Sequence, residues 1–187
     1  MNPFVDAAHR FFDPISRIAD MACVTEKGAQ VRYENESVFM DVVFDAHRSY
    51  EISVVIGELS APKTQKGMPF DLGIILRMQA YPSDPEPCLM IGNNPSTITV
   101  GIERLAKLTK EHAVDLLKHD EGKFLEVATF LKWASLKYAW DRNIPKSVTA
   151  AYRGLIGSAG YEALKRRLTE NDLAILETAR KLSEGEP

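Results

Sequence analysis

The sequence predicts an α+β fold, in which an antiparallel three- to four-stranded meander with an N-terminal helix is followed by a helical C-terminal half. Apolar and polar side chains alternate through residues 29–59, and a period of two is typical of strands with one buried face. After residue 94 the apolar period becomes that of helices. Strands followed by helices indicate α+β rather than parallel α/β. We expect a single domain over 1–187, with a sheet-containing part at 1–93 and a helical part at 94–187.

The N-terminal segment is predicted to be a helix. Its apolar residues recur at helical spacing: Phe4, Ala8, Phe11, Phe12 and Ile15. Pro14 lies inside this pattern, and a proline removes a backbone donor and clashes with the preceding turn of a helix. We therefore expect the helix to end near Phe12 or to restart there.

Two neighbouring strands carry the clearest alternation. Their core-facing residues are Val38, Met40, Val42 and Phe44 on one strand and Tyr50, Ile52, Val54 and Ile56 on the next. A shift of one residue in the pairing would turn all the side chains of one strand to the wrong face. We therefore predict that Phe44 lies opposite Tyr50 and that residues 45–49 form the hairpin loop.

Helix signals follow the meander. Asp71 is expected to cap a short helix. A run of apolar residues at helical spacing extends from Ile98 to Leu116, and residues 119–122 break it. The next helix is predicted to bury a stripe that contains Phe124, Ala128, Leu131, Ser135 and Tyr138 and is widened by Trp133, Leu136 and Trp140.

Glycines and a capping motif organise the end of the chain. Glycines at positions 154, 157 and 160 each cost roughly 1 kcal/mol in a helix interior relative to alanine. A break is therefore expected at 157–160. Thr169 followed by Asp172 resembles a capping box, which predicts that a last helix begins there.

The bulk composition is that of a globular protein, with 45% hydrophobic and 26% charged residues. The net charge of -3 gives no overall field toward nucleic acid or an anionic membrane. No apolar run approaches the ~20 residues that span a bilayer, and charges in the first twenty residues argue against a secretory signal. Cys23 and Cys88 fit free thiols in a reducing compartment. We expect a cytoplasmic protein that has no cofactor.

A helix-borne His/Asp/His set is the candidate for metal binding or acid–base chemistry. His112, Asp115 and His119 fall at i, i+3 and i+7, so they would share one side of a helix. The set lacks the two histidines at i, i+4 that zinc helices use. His119 also lies where the helix is expected to end, and the helix dipole favours histidine there. We therefore expect no metal, with an enzyme or metal-binding protein as an alternative interpretation.

A basic cluster offers a second alternative, a nucleic-acid-binding protein. The cluster consists of Arg153, Lys165, Arg166 and Arg167. Glutamates are interleaved with these residues, and basic residues are expected in the last turn of a helix in any case. The glycines nearby do not follow a strand, so they do not form a phosphate-binding loop. The sequence therefore favours a protein partner over nucleic acid.

The face of the meander that points away from the predicted core mixes polar and apolar residues. It carries Arg32, Glu34, Asp41, Glu51, Phe39, Val43 and Val55. This face could be solvent-exposed, covered by the chain's own helices, or a binding surface in which apolar residues anchor a basic partner and carboxylates steer it. On the last interpretation the contact residues are Glu34, Phe39, Asp41 and Glu51.

Three stretches resemble small bacterial α+β proteins of the toxin-immunity and interaction-module kind. They are VRYENESVFMDVVFDAHRSYEISVVIGEL at 31–59, FDLGIILRMQA at 70–80 and LLKHDEGKFLEVATFLKWA at 116–134. In the last stretch His119 and Asp120 stand at a turn before an F-x-x-L helix. The resemblance covers about 31–140 and consists of hydrophobicity patterns, so it implies no catalytic residue. It implies a non-enzymatic interaction module, either an immunity protein that inhibits a bacterial toxin or another kind of protein-binding module.

Overall fold

The computed structural model describes residues 2–59, 69–83 and 88–185. It confirms the α+β class, with an N-terminal helix, an antiparallel meander and a helical C-terminal half. The chain forms two compact units. The first consists of Met1–Gln79 and Pro85–Glu121, and the second of Ala80–Asp84 and Gly122–Pro187. Within the described ranges, no helix has the length and apolarity needed to cross a bilayer.

The elements up to residue 117 include all six described strands. In chain order they are α1 (Pro3–Ile18), β1 (Ala22–Lys27), β2 (Gln30–Glu34), β3 (Val38–Phe44), β4 (Glu51–Glu58), β5 (Phe70–Asp71), α2 (Leu72–Ala80), β6 (Met90–Ile91), α3 (Pro95–His112) and α4 (Val114–Leu117). The sheet order is β1-β2-β3-β4-β5, with every neighbouring pair antiparallel, and β6 pairs with β4. The predicted cap of α2 is present, because Asp71 accepts a hydrogen bond from the Gly73 N–H at 2.7 Å.

The N-terminal helix continues through Pro14 as far as Ile18, so the expected interruption near Phe12 is wrong. Pro14 cannot donate a helical hydrogen bond. However, the apolar face is buried on both sides of it, since Phe12 is 0% and Ile15 is 3% exposed. Packing of this face therefore outweighs the local cost of the proline.

The hairpin between β3 and β4 differs from the prediction by two residues. Phe44 pairs with Ile52 rather than with Tyr50. A shift of two preserves which face each side chain occupies, so the rest of the predicted alternation holds. Tyr50 has φ +56 and is 47% exposed, and its N–H donates to the Asp45 carbonyl at 2.9 Å. Its left-handed backbone closes the turn, and Tyr50 does not join the core.

The core of the first unit lies on one side of the sheet, which we call the inner face. Eight inner-face residues of β2–β4 are at most 1% exposed: Val31, Tyr33, Val38, Met40, Val42, Ile52, Val54 and Ile56. Phe44 and Glu58, at the ends of β3 and β4, are half-buried. Helix α1 packs here, where Asp13 accepts a hydrogen bond from the Tyr33 hydroxyl at 2.8 Å. Helix α3 packs here as well, and a Cβ added at Gly101 would lie 3.0 Å from Ile52 Cδ1. The inner face is thus closed by helices of its own unit.

The helical run predicted from Ile98 to Leu116 is interrupted at Ala113, between α3 and α4. The buried Thr109 hydroxyl donates to the Leu105 carbonyl at 2.8 Å, and such a back-bond weakens and bends helices. Ala113 is completely buried. The interruption therefore falls at a fully buried position, and the apolar period of the sequence does not reveal it.

The second unit is helical. Its helices are α5 (Glu121–Asp141, of which Glu121 is assigned to the first unit), α6 (Pro145–Ile156), α7 (Tyr161–Lys165) and α8 (Glu170–Glu184). The predicted break between residues 157 and 160 is confirmed, as is the capping box of Thr169 and Asp172.

The predicted buried stripe of α5 is confirmed at Phe124, Trp133 and Leu136 and is wrong at Ser135 and Tyr138, since Tyr138 is 60% exposed. The stripe missed Val127 and Phe130, which are buried. Apolar residues occur on several sides of this helix, so the period alone does not determine which side is buried.

A buried carboxylate anchors the second unit. Asp172 is 3% exposed and accepts hydrogen bonds from the Tyr81 hydroxyl and from the Thr169 hydroxyl, the latter at 2.5 Å. The Tyr81 ring packs edge-on against Phe130, with centroids 5.5 Å apart. Burial alone would raise the pKa of Asp172, but these donors and the charge of Lys137 lower it. The segment that contains Tyr81 is therefore tied to the start of α8.

Candidate functional site

Ten residues of β2, β3 and β4 lie on the side of the sheet opposite the inner face, and we call this side the outer face. Strand pairing arranges nine of them in three rows: Gln30–Val43–Ser53, Arg32–Asp41–Val55 and Glu34–Phe39–Gly57. The tenth is Glu51, at the start of β4. The rows continue onto the neighbouring strands at Lys27, Thr25 and Asp71. Three of the four predicted contact residues, Glu34, Phe39 and Asp41, therefore fall in two adjacent rows.

An ion pair occupies the centre of the outer face. The Arg32 guanidinium donates to both carboxylate oxygens of Asp41, with Nε–Oδ1 at 2.7 Å and Nη2–Oδ2 at 2.6 Å. Gln30 Nε2 donates to the same Oδ1 at 2.9 Å. The hydrogen bonds that Arg32 donates to Asp41 raise the pKa of Arg32 above its ordinary value. Two parallel bonds fix the plane of the guanidinium as well as its position.

The same guanidinium lies over an aromatic ring. Arg32 Cζ is 4.3 Å from the centroid of the Phe39 ring, within the range of a cation–π contact. The ring in turn lies over Gly57, where an added Cβ would be 2.7 Å from Phe39 Cε1 and Cζ. Glycine at 57 is therefore required for this position of the ring. Arg32, Asp41 and Phe39 form one preorganised group, with the Arg32 side chain 30% and the Asp41 side chain 9% exposed.

Carboxylates dominate the charge of the outer face and its borders. The two basic residues are Lys27 and Arg32, and the four acidic residues are Glu34, Asp41, Glu51 and Asp71, so the balance is two minus four, or -2. Glu51 is exposed on β4, two residues before Ser53. Desolvation and the charge of Glu51 raise the pKa of Asp71, against the opposing effect of the Gly73 N–H. Glu51 therefore lies at the end of the outer face away from Glu34.

Sequence reasoning placed Arg32 on this face but did not identify it as the central residue. The feature that could have identified Arg32 is the register between β2 and β3, which sets it directly opposite Asp41. Opposite charges at facing strand positions attract one another. The turn beginning at Asn35, which accepts hydrogen bonds from the Ser37 and Val38 N–H groups, sets this register. Gly57 gave no sequence signal, because its role depends on the Phe39 rotamer.

The structure separates the three residues of the His/Asp/His set. His112 ends α3 and its Nδ1 lies 2.6 Å from Gln79 Oε1. His119 follows α4 with φ +60, and its Nε2 lies 3.3 Å from Glu58 Oε1. Asp115 is exposed in the first turn of α4. The expected single helix is not formed, and the described residues contain no group of three or more His, Cys, Asp or Glu side chains able to hold a metal.

The basic cluster belongs to the second unit. Arg153 on α6 donates to the Ser183 carbonyl at 2.9 Å, so it caps the end of α8. Lys165 at the end of α7 lies 6.0 Å from the centroid of the Tyr161 ring, and residues 165–167 are exposed. The structure thus gives Arg153 a role in helix packing.

An open groove of about 1030 Å³ lies at one edge of the first unit. It is lined by Ile18, Ala19, Asp20, Asn35, Glu36, Ser37, Lys118 and His119. Asn35 Nδ2 donates to the Ala19 and Leu117 carbonyls at 3.1 and 3.0 Å, which ties together the ends of α1 and α4. The amide group of Asn35 is thus fully occupied in joining elements of the fold.

Comparison with protein-family models, with curated proteins and with solved structures found no match.

Proposed function

We propose that this chain is a non-enzymatic, cytoplasmic interaction module that binds a basic protein through its outer face, as an immunity-type inhibitor of a bacterial toxin. The observation that carries the proposal is the position of Arg32. Its guanidinium is held between the Asp41 carboxylate at 2.6–2.7 Å and the Phe39 ring at 4.3 Å while the side chain stays 30% exposed.

Preorganisation makes this group suited to binding. A free arginine side chain has about 2 kcal/mol of rotamer entropy to lose when a partner immobilises it. Arg32 is already fixed by two hydrogen bonds and a ring contact, so less of that cost falls on association. Arginine and aromatic residues are also enriched at the centres of protein interfaces. Half-buried Val43 and Val55 flank the group and supply apolar area.

The net negative charge of the outer face favours a basic partner. The outer face and its borders carry four carboxylates and two basic side chains, and Asp41 is neutralised within the face by Arg32. Glu34 and Glu51 lie toward opposite ends of the face and leave negative charge at its rim. A rim of this sign speeds association with a basic protein surface and disfavours acidic ones.

Inhibition needs only such a surface. An inhibitor that covers an active site acts through complementarity and about 800 Å² of buried surface on each partner. It requires no catalytic group of its own.

Affinity capture from the native cells, carried out in parallel with three tagged chains, tests the proposal. The chains are the wild type, Phe39→Ala and the control Tyr138→Ala. Tyr138, on α5 of the second unit, is a matched control because it is 60% exposed and its ring centroid lies 5.1 Å from the Arg142 guanidinium carbon, so it too is an exposed aromatic ring beside an arginine. We expect a stoichiometric basic protein that is retained by the wild type and by Tyr138→Ala and is lost from Phe39→Ala.

The captured protein then decides the inhibitory part of the proposal. Its expression alone should arrest growth, and co-expression of the wild-type chain should restore it. Equal capture by all three chains would refute the role of the outer face. A captured protein that is harmless to cells would leave an interaction module and refute the immunity function.

A further inference from the structure

A histidine on α1 lies between two carboxylates. His9 Nδ1 is 3.1 Å from Asp13 Oδ1, and His9 Nε2 is 3.2 Å from Glu26 Oε2. A neutral imidazole has one N–H and can donate to only one of two acceptors, whereas an imidazolium donates from both nitrogens. Both hydrogen bonds can therefore form at the same time only when each ring nitrogen of His9 carries a proton.

The carboxylate on the helix side is held in place from the core. Asp13 Oδ1 also accepts the hydrogen bond from the buried Tyr33 hydroxyl at 2.8 Å. Burial and Asp13 raise the pKa of Tyr33, so its hydroxyl remains a donor at neutral pH. The Tyr33 ring meets the His9 ring edge-on at 6.4 Å. His9 and Asp13 thus form a rigid half of the cluster, because both stand on α1 and one is tied to β2.

The other carboxylate stands on a weakly held strand. Within the described residues β1 pairs only with β2, its residues are exposed or half-exposed, and a bulge interrupts its pairing between Cys23 and Thr25. Edge strands with few buried contacts open at low free-energy cost. Glu26 links β1 to α1 through His9, and a second link joins Asn2 Nδ2 to the Gly28 carbonyl at 2.8 Å.

We propose that His9 is a pH-sensitive clasp, which fastens the edge strand β1 to α1 when protonated and releases Glu26 when it loses a proton. The ligand of the clasp is the proton itself. Release leaves the Asn2 link and the pairing with β2 to hold the strand, so β1 loosens while the rest of the sheet stays folded.

The two carboxylates that face His9 support its charged form: Asp13 on its own helix and Glu26 on β1. Tyr33 on β2 contacts the His9 ring edge-on, and Cys23 on β1 lies within reach of both carboxylate charges. Partial burial alone would lower the pKa of His9, but the hydrogen bonds and charges of Asp13 and Glu26 raise it above the ordinary 6.5.

The direction of the pH effect follows from the raised pKa of His9. A group whose pKa is higher in the folded than in the unfolded state stabilises the fold fully below its unfolded pKa, and the contribution is lost as the pH rises through the folded pKa. The clasp is therefore closed at pH 6 and opens as the pH rises from 6.5 through the raised pKa of His9.

The test combines an NMR titration of the histidine rings with amide hydrogen exchange of the full chain. We expect the His9 midpoint to lie above 6.5 and to fall by about 0.5 pH unit, a threefold change in proton affinity, in Glu26→Gln. Glu36→Gln is the matched control, since Glu36 is an exposed glutamate in the turn after β2. Protection of β1 amides, corrected for intrinsic exchange, should fall across the His9 titration, while that of β3 and β4 stays constant.

Two results would overturn the clasp. One is a His9 midpoint at or below 6.5 that Glu26→Gln leaves unchanged. The other is β1 protection that does not follow the His9 titration, or that follows it equally in the wild type and in Glu26→Gln. Both variants change surface glutamates, so loss of the fold does not obscure the result.

Discussion

The two faces of the sheet are made by alternate residues of the same strands, yet they satisfy their polar groups differently. On the inner face of β2–β4 every residue except Phe44 and Glu58 at the strand ends is at most 1% exposed, and the buried Tyr33 hydroxyl donates to Asp13. On the outer face Arg32 and Asp41 bond each other while Arg32 remains in reach of solvent. The inner face forms the core of the first unit, whereas the outer face holds an arginine side chain in a fixed position at the surface.

The largest effect expected from this comparison is on stability, for adjacent residues of β4. Ile56 is 0% exposed on the inner face and Val55 is half-exposed on the outer face. We expect Ile56→Ala to lower the free energy of unfolding by about 2–5 kcal/mol because it leaves a cavity. Val55→Ala should cost about 1 kcal/mol. Urea denaturation of both variants measures this difference, and equal losses would contradict the assignment of faces.

The central ion pair should contribute less than the core. Removing one partner of a buried pair costs about 3–5 kcal/mol. Because the Arg32 side chain is 30% exposed, we expect about 1–3 kcal/mol for Asp41→Ala. Glu34→Ala is the control, since Glu34 contacts the same guanidinium only at 3.4 Å and should cost about 0.5 kcal/mol. If the two variants are equally stable in urea, Asp41 does not hold Arg32 in place.

Gly57→Ala tests the position of the Phe39 ring. The added methyl group would lie 2.7 Å from the ring, so the ring must move, at a cost of about 1–3 kcal/mol. In a Phe39→Ala background there is no ring to displace, and the same substitution should cost much less. A double-mutant cycle on unfolding free energies measures the coupling, and additive costs would show that the ring does not lie over Gly57.

The smallest expected effect is the pH dependence of the two polar networks. The pKa of His9 on the inner side is raised, so its contribution to stability should be lost as the pH rises from 6.5 through that raised pKa. His9→Gln should remove this slope. Since arginine does not titrate in this range, Asp41→Ala should leave the slope between pH 6 and 8 unchanged. Urea midpoints measured across these pH values check both statements.

The sequence predicted the helices and strands better than the turns, helix breaks and buried helix faces. The alternation in β2–β4 gave the correct faces, because a period of two fixes which side of a sheet each residue occupies. It did not give the exposed, left-handed Tyr50, because the turn geometry there depends on Asp45 hydrogen bonds. The sequence did not predict the interruption at Ala113, where the buried Thr109 hydroxyl bonds to the Leu105 carbonyl one turn earlier. It also did not predict fully which side of α5 is buried, because tertiary packing determines that side.

The candidate site was predicted in its location and only partly in its organisation. Phe39, Asp41 and Glu34 lie together on the outer face as the alternation requires. The central role of Arg32 emerges only from the cross-strand register and the ring contact. The sequence also suggested Asp41 as a steering charge, whereas the structure places its carboxylate against Arg32 and Gln30.

The most direct test of the outer face is the affinity of the captured basic protein for Phe39→Ala and for Tyr138→Ala, measured by calorimetry at one salt concentration. We predict at least a tenfold loss for Phe39→Ala, or about 1.4 kcal/mol, because the ring supports Arg32 and is itself half-exposed. Tyr138→Ala should bind like the wild type. Wild-type affinity in Phe39→Ala, or equal losses in both variants, would contradict the account.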